Sequence, residues 1–165
     1  MKAVAGKVLI LMGSRSDAEV MGEVSRALAA LGVPCTTTVA SAHRSPARTQ
    51  KLAREAEEQG YQVIIAGAGA AAHLAGVVAA ETVLPVIGVP LASSPLFGLD
   101  SLLSTAQMPG GVPVAAMAVG KAGAKNAAFL AAQILALSDP TLKKKLKDLR
   151  REMAEAVAAS AEDLP

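Results

Sequence analysis

The stretch KVLILMGSRSDAEV, residues 7–20, contains the unit that decides the fold of this chain. Its apolar run VLILM carries no charge and is typical of a short strand that is buried on both faces. The small and polar residues GSRSD then form a corner, in which Ser16 with Glu19 matches the S-x-x-E capping box of a helix start. The stretch therefore predicts a strand over Lys7–Met12, a turn and a helix that continues to about Leu31.

Four further units of the same kind follow along the chain. Gly32 and Gly60 stand where the first two helices should end, and Pro46 takes the first position of the second helix, which we expect to run to Gln59. Apolar strands that alternate with helices predict a parallel sheet covered on both faces, so we predict an α/β three-layer sandwich of the flavodoxin or Rossmann type with about five strands. The other predicted strands are Thr36–Ala40, Gln62–Gly67, Pro85–Pro90 and Val112–Val119.

The composition favours one domain over residues 1–165, with its core at about 7–138 and a C-terminal helix at about 140–158. Apolar residues make up 52% of the chain but aromatic residues only 2%, so few side chains are available on which nucleic-acid bases could stack. A net charge of +2 is also too small to indicate a polyanionic partner. We therefore expect no nucleic-acid partner.

The single cysteine, Cys35, excludes an internal disulfide, and no Cys/His spacing typical of a metal site is present. We therefore expect no metal and a reducing, cytoplasmic location. The uncharged run from Val63 to Ala80 approaches the length of a membrane span. Its many Gly and Ala residues and its central His73 favour a buried strand, a glycine turn and an apolar helix instead, so we expect no membrane association.

The tail LKKKLKDLRREM, residues 142–153, places four apolar side chains on one face of a helix and basic side chains on the other faces. We expect the apolar face to dock on the body of the protein or on another subunit. A basic helix that binds nucleic acid or an anionic membrane is the alternative. The four apolar residues are Leu142, Leu146, Leu149 and Met153.

Polar residues are concentrated at the corners that follow the first three predicted strands, which is the edge where open parallel sheets bind ligands. Ser14 and Ser16 suit a phosphate held at a helix N-terminus, and Arg44 adds a charged, forked donor. Asp17 is a good acceptor for sugar hydroxyls, so these residues together indicate a ribose phosphate. The alternative is that Ser16 and Asp17 serve only as a helix cap and a first-turn acid.

Both histidines of the chain fall on this same edge of the predicted sheet. An imidazole can give or take a proton near neutral pH, so His43 is a candidate acid–base, with a structural hydrogen-bonding role as the alternative. His73 lies in an apolar setting, which is more typical of a hydrogen-bond donor or a substrate-positioning group. Gly67 and Gly69 weakly match a dinucleotide fingerprint, but no acidic residue ends a following strand to hold a ribose.

Five segments, taken in order, resemble one family. They are MGSRSD, SAHRSP, AGAGAAAHLAG, GLDSLLSTAQMPGGVPV and VGKAGAKNAAFLAAQIL. As a set they are similar to the catalytic-subunit family of phosphoribosylaminoimidazole carboxylase in its class I form, the N5-carboxyaminoimidazole ribonucleotide mutases of purine biosynthesis. The resemblance extends from about Lys7 to Leu137, which is most of the chain.

The resemblance implies an isomerase that needs no cofactor. Such an enzyme moves a carboxylate from the exocyclic nitrogen of an aminoimidazole ribonucleotide to ring carbon 4, through CO2 held in a closed pocket. His43, in SAHR, matches the family's catalytic histidine, which moves the proton. The matching substrate-binding residues are Ser14, Asp17 and Arg44 at the nucleotide, Ser16 and Ser41 assisting at the phosphate, and Ala68, Gly69, His73 and Leu74 around the carboxylate.

The resemblance also implies a homo-octamer joined through C-terminal helices, and a substrate supplied by an ATP-dependent N5-carboxyaminoimidazole ribonucleotide synthase. Two segments depart from the family pattern: Ala75 stands where the family has proline in H-L-P-G, and LASSPLFG, residues 91–98, matches loosely. Direct carboxylation of aminoimidazole ribonucleotide with CO2 is the main enzymatic alternative, but that branch has lysine at the position of Arg44 and lacks the H-L-x-G segment. A non-catalytic nucleotide-binding module is the other alternative.

Overall fold

The structure, a computed structural model, describes residues 8–162, so Lys7, where the first strand is predicted to begin, lies outside the described residues. Strands and helices alternate along this range until its end, where two helices follow each other. They are β1 (Val8–Met12), α1 (Ala18–Leu31), β2 (Cys35–Val39), α2 (Pro46–Glu55), β3 (Val63–Gly69), α3 (Leu74–Ala79), β4 (Val86–Leu91), α4 (Leu99–Ala106), β5 (Ala115–Ala116), α5 (Lys121–Leu135) and α6 (Pro140–Glu162).

The five strands form one sheet in the order β2-β1-β3-β4-β5, and all neighbouring strands pair in parallel. This is the flavodoxin-like order, and it confirms the predicted α/β sandwich. The order of the strands reverses between β1 and β3. In such folds the crevice at the carboxyl ends of these two strands is the place where ligands bind.

Successive residues of the central strands enter different cores, because strand side chains alternate between the two faces of a sheet. Ile10 and Ile65 belong to the core covered by α1 and α5, whereas Leu11 and Ile64 belong to the core covered by α2 and α3. Small side chains let α5 lie close to its neighbours in the first core. Its fully buried alanines are Ala124, Ala127, Ala128, Ala131 and Ala132.

Two strands differ from the prediction of uniformly apolar strands of similar length. β2 has the sequence CTTTV, and its residues Thr36 and Thr37 are exposed, because β2 is an edge strand that pairs with β1 alone in the described sheet. The predicted strand Val112–Val119 is reduced to the two residues of β5. β5 is the opposite edge, and Pro113 has no N–H group to extend its pairing with β4.

The capping box predicted for Ser16 and Glu19 is wrong. The box is formed two residues earlier, where the Ser14 hydroxyl accepts the backbone N–H of Ser16, and the Asp17 carboxylate accepts that of Ser14 at 2.9 Å. The chain turns at once after β1, so this box closes a short 3-10 turn that precedes α1. Glu19 instead forms an exposed ion pair with Lys121 at 2.6 Å.

The predicted end of α1 at Gly32 is confirmed, since this glycine caps the helix with a left-handed φ of 72°. The second helix is shorter than predicted: α2 ends at Glu55 rather than at Gln59, and a turn leads from it to Gly60, whose φ is 87°. The run from 63 to 80 forms β3, a turn and α3, as predicted. Among the described helices, none combines the length and the apolar character needed to cross a membrane.

The apolar face of α6 docks on the body of the protein along its first half. Leu142 is buried, and Leu146 and Leu149 are half-buried against the core of α1 and α5. Further along, Met153 is 59% exposed and Val157 is 70% exposed. The docking predicted for the apolar face is therefore confirmed for the first half of the helix, while the second half stays exposed.

Candidate active site

The register of the sheet brings three corners of the chain side by side. Met12 at the end of β1 lies opposite Val39 in β2 and Gly67 in β3, so these three strands end at the same level. Backbone hydrogen bonds continue beyond this level, from Gly13 N–H to the Gly67 carbonyl at 3.2 Å and from Ala40 N–H to the Met12 carbonyl at 2.9 Å. The corners therefore follow the strands at one edge of the sheet.

A cavity of about 310 Å³ opens between these corners. Nine of the ten predicted site residues line it, namely Ser16, Asp17, Ser41, His43, Arg44, Ala68, Gly69, His73 and Leu74. The tenth, Ser14, is not among the lining residues. Its hydroxyl accepts a hydrogen bond from the Ser16 hydroxyl at 3.0 Å, so Ser14 holds a side chain that lines the cavity without lining it itself.

The cavity also contains residues that the sequence analysis missed. Ser93 comes from the loop after β4, and the others, Gly13, Ala42 and Ala71, are neighbours of predicted residues. Leu91 at the end of β4 pairs with Gly69, which brings Ser93 to the same edge of the sheet. The signal for Ser93 is therefore the same as for the other corners: a hydroxyl that follows the end of a buried parallel strand.

The Asp17 carboxylate is held inside its own loop. It accepts the Ser14 N–H, and burial raises its pKa, opposed by the hydrogen bonds from Ser14 and Ser16 and by the positive charge of Arg44. The rise shows that removal from water outweighs the favourable contacts in this structure. The carboxylate is thus an acceptor that is positioned before any ligand arrives.

The guanidinium of Arg44 is held against the corner after β1. Its Nη2 donates to the Gly13 carbonyl at 3.2 Å, while the backbone N–H of Arg44 donates to the Ser41 hydroxyl at 3.1 Å. Ser41 is fixed in turn by its N–H bond to the Ser45 hydroxyl at 3.0 Å. The remaining guanidinium N–H groups are donors for an anion, and a phosphate oxygen suits them well.

The two histidines meet at the cavity, although thirty residues separate them. Nε2 of His43 lies 2.7 Å from Nδ1 of His73, and the rings cross at 79° with their centroids 4.8 Å apart. Ala68 and Leu74 provide apolar wall beside them. The cavity therefore combines a guanidinium that can donate hydrogen bonds to an anion, a carboxylate that can accept them, hydroxyl groups and a pair of imidazoles. This set of groups suits the binding of a phosphorylated sugar and proton transfer.

Comparison with known proteins agrees with this chemistry. The family model for AIR carboxylase matches residues 7–156. The chain is 52% identical to the N5-carboxyaminoimidazole ribonucleotide mutase of Pyrococcus horikoshii over 164 residues, which cover 99% of this chain and 92% of that protein. It is 52% identical to the Escherichia coli K12 mutase, with 92% and 89% covered, and 53% identical to the Bacillus subtilis mutase, with 94% and 96% covered.

A solved structure has the same fold. The crystal structure of Treponema denticola PurE superposes with a TM-score of 0.87 at 28% sequence identity, covering 95% of this chain and 97% of that one. The family model and the relatives both span nearly the whole chain, and the five segments that carry the resemblance lie within the matched range. This chain belongs to the AIR carboxylase family.

Proposed function

We propose that this chain converts N5-carboxyaminoimidazole ribonucleotide to 4-carboxy-5-aminoimidazole ribonucleotide, a step of purine biosynthesis that leads to IMP. Relatives at 52–53% identity over most of the chain carry the name of this mutase, so the enzyme is an isomerase. The observation that carries the proposal is the single cavity in which His43, Asp17 and Arg44 lie together. The reaction requires this combination, because it needs a nucleotide held still and one group that exchanges protons.

Binding begins with the nucleotide. Arg44 and the hydroxyls of Ser16 and Ser41 hold the phosphate, since a charged donor and two hydroxyl groups line the same cavity. The Asp17 carboxylate accepts hydrogen bonds from the ribose hydroxyls, while Ser14 keeps Ser16 and Asp17 in place. These contacts lie away from the reacting atoms, so their role is to orient the aminoimidazole ring.

The chemistry balances with one proton carrier. The bond between the exocyclic nitrogen and the carboxylate carbon breaks, its electron pair stays on nitrogen, and His43 donates a proton there as CO2 is released. Ring carbon 4 then attacks CO2, forming a carbon–carbon bond, and His43 takes the proton that this carbon loses. Ala68, Gly69, Leu74 and His73 enclose the CO2 between the two steps. No proton is gained or lost overall, as an isomerisation requires.

The proposed function sets the protein's partners. The substrate is an N-carboxylated amine whose formation requires activation, so we infer coupling to an ATP-dependent N5-carboxyaminoimidazole ribonucleotide synthase in the cytoplasm. We further propose that the chain acts as one domain without nucleic-acid or membrane partners, and that it assembles as a homo-octamer. The exposed apolar residues Met153 and Val157 on α6 support burial against another subunit.

The test is carboxylate transfer on the N-carboxylated substrate, without ATP, in the presence of isotopically labelled bicarbonate. We expect product without label, because CO2 stays in the cavity even though Ala75 replaces the family's proline. Product that carries the label, above a control without enzyme, would contradict the mutase proposal and favour direct use of free CO2. Absence of product would favour a nucleotide-binding module.

His43→Asn tests the role of the histidine. The amide cannot exchange a proton near neutral pH, so we expect kcat to fall by about two to four powers of ten. Product binding, measured by calorimetry, should be retained because the nucleotide contacts are intact. Turnover that survives the substitution would show that His43 is not the acid–base.

A further inference from the structure

The contact between the two histidine rings constrains where their hydrogens lie. Nε2 of His43 and Nδ1 of His73 are 2.7 Å apart. At this distance the two nitrogens must share one hydrogen, because two facing N–H groups repel each other and so do two facing lone pairs. The tautomer of one neutral ring therefore depends on that of the other.

One nitrogen of each ring remains for a ligand. Over residues 8–162, neither Nδ1 of His43 nor Nε2 of His73 takes part in a hydrogen bond with the protein. In a neutral pair, one of these outer nitrogens carries a hydrogen and the other is bare. If the shared hydrogen is on His43, then Nδ1 of His43 is bare and Nε2 of His73 carries a hydrogen. If the shared hydrogen is on His73, the pattern is reversed.

The reaction distinguishes these two arrangements. The migrating group is a carboxylate, which accepts hydrogen bonds and cannot donate them. His73 lines the cavity with Ala68 and Leu74, and in the proposed function these residues enclose the carboxylate. The outer nitrogen of His73 must then carry a hydrogen to donate to that carboxylate. The shared hydrogen then stays on Nε2 of His43, and Nδ1 of His43 is left bare as the base.

We propose that His73 is a positioning residue that keeps the shared hydrogen on Nε2 of His43, so that His43 exchanges protons through Nδ1 alone. The inference rests on the proposed function, in which His43 is the acid–base. The protons balance: with one additional proton both outer nitrogens carry a hydrogen. Nδ1 of His43 gives its hydrogen to the substrate nitrogen and takes one back from ring carbon 4. The shared hydrogen stays in place throughout.

The chain suits a direct test because His43 and His73 are its only histidines. Protein labelled with 15N-histidine has four imidazole nitrogens, which solid-state NMR can assign without substrate. At slightly alkaline pH we expect His43 to carry its hydrogen on Nε2, with a coupling through the hydrogen bond to Nδ1 of His73. A hydrogen on Nδ1 of His43, or no coupling between the rings, would overturn the inference.

Two substitutions of His73 distinguish a hydrogen-bonding role of its ring from a role in filling space. His73→Leu removes the acceptor, whereas His73→Asn keeps an amide oxygen near the place of Nδ1. Both rings are exposed, so neither change disturbs the core, and unfolding curves check this. We expect both variants to raise KM, because both lose the outer N–H. Only His73→Leu should lower kcat by at least about tenfold and give His43 a mixture of tautomers.

Equal kcat values for His73→Leu and His73→Asn would overturn the inference, as would an unchanged His43 tautomer in His73→Leu. The NMR result is separable from the proposed function. If the wild type shows the coupling but transfers no carboxylate, the mutase proposal alone is contradicted. If the wild type transfers the carboxylate but shows no coupling, the positioning role of His73 alone is contradicted.

Discussion

Asp17 carries a cost in stability that its position in the cavity explains. Burial raises the pKa of its carboxyl, so the folded state holds that proton more firmly than the unfolded chain does. The stabilisation from this protonated carboxyl is complete below the ordinary value of 3.8 and is lost as the pH rises through the folded-state value. A group that weakens the fold at neutral pH fits a site that is kept ready for a ligand.

Replacing this carboxyl should therefore remove a dependence of stability on pH. Asp17→Asn keeps an oxygen that can accept the Ser14 N–H, and it cannot ionise. We expect the free energy of unfolding of Asp17→Asn, relative to wild type, to increase as the pH rises above the ordinary carboxyl value of 3.8, and to level off once the carboxyl of the folded wild type is ionised. Urea unfolding at several pH values measures this difference.

Glu19→Gln is the control with the opposite sign. The hydrogen bond and charge of Lys121 lower the pKa of Glu19. The stability that this carboxylate adds to the fold is therefore present above the ordinary pKa of a glutamate and is lost as the pH falls through the lowered pKa. Relative to wild type, Glu19→Gln should lose stability as the pH rises. A difference for Asp17→Asn that is flat, or that falls with pH, would contradict the burial argument.

Arg44 and Arg48 form a matched pair of arginines, one inside the cavity and one outside it. Arg48 donates to the Val39 carbonyl at 3.1 Å and to the Thr38 hydroxyl at 3.0 Å along β2. We expect Arg44→Gln to raise KM about tenfold to a hundredfold, because the proposed charged hydrogen bond to the phosphate is lost. Arg48→Gln should leave KM unchanged. Steady-state kinetics that show equal effects would place the phosphate elsewhere.

At the scale of elements, close packing around β4 depends on a missing side chain. A Cβ atom at Gly88 would meet the Thr105 methyl of α4, and it would also lie 2.9 Å from a Val114 methyl. Thr105 is itself buried, with its hydroxyl bonded to the Ser101 carbonyl at 2.7 Å, so it cannot move aside freely. The distance of α4 from the sheet is therefore set by a glycine.

Gly88→Ala should destabilise the fold by about 1–3 kcal/mol, because the added methyl group overpacks this contact. Gly110→Ala is the control, since a Cβ atom there would meet no atom within 4 Å and Gly110 is not among the glycines with a left-handed φ. Urea unfolding of both variants measures the difference. Equal stabilities would show that α4 adjusts its position at little cost.

At the scale of the whole molecule, α6 has more apolar surface than the body of its own chain covers. The exposed residues Met153 and Val157 continue the face that Leu142 begins. If the proposed homo-octamer is joined at this face, Met153→Asp should reduce the mass measured by light scattering, because a charge at a subunit contact costs desolvation. Glu152→Gln, one residue away and also exposed, should keep the wild-type mass. An unchanged mass for Met153→Asp would contradict subunit contact at this face.

Much of the molecule is readable from local patterns. The alternation of apolar strands, small-residue corners and helices depends on the properties of each segment, such as the run VLILM or the position of Pro46. The place of the cavity follows too, because parallel strands put their carboxyl ends on one edge. Errors occur where the tertiary structure changes what a segment does: Ser14, rather than Ser16, caps the first turn, and β5 at the edge of the sheet is only two residues long.

The sequence by itself thus determined the fold class, the family and most of the cavity's residues, since these depend on short-range periodicity and on motifs in order. Only the tertiary structure decided the strand order, the position of Ser93 in the cavity and the packing of α6 along its first half alone. It alone placed His43 within hydrogen-bonding distance of His73. The physical reason is that such contacts depend on the register between strands and on helix packing, which no single segment encodes.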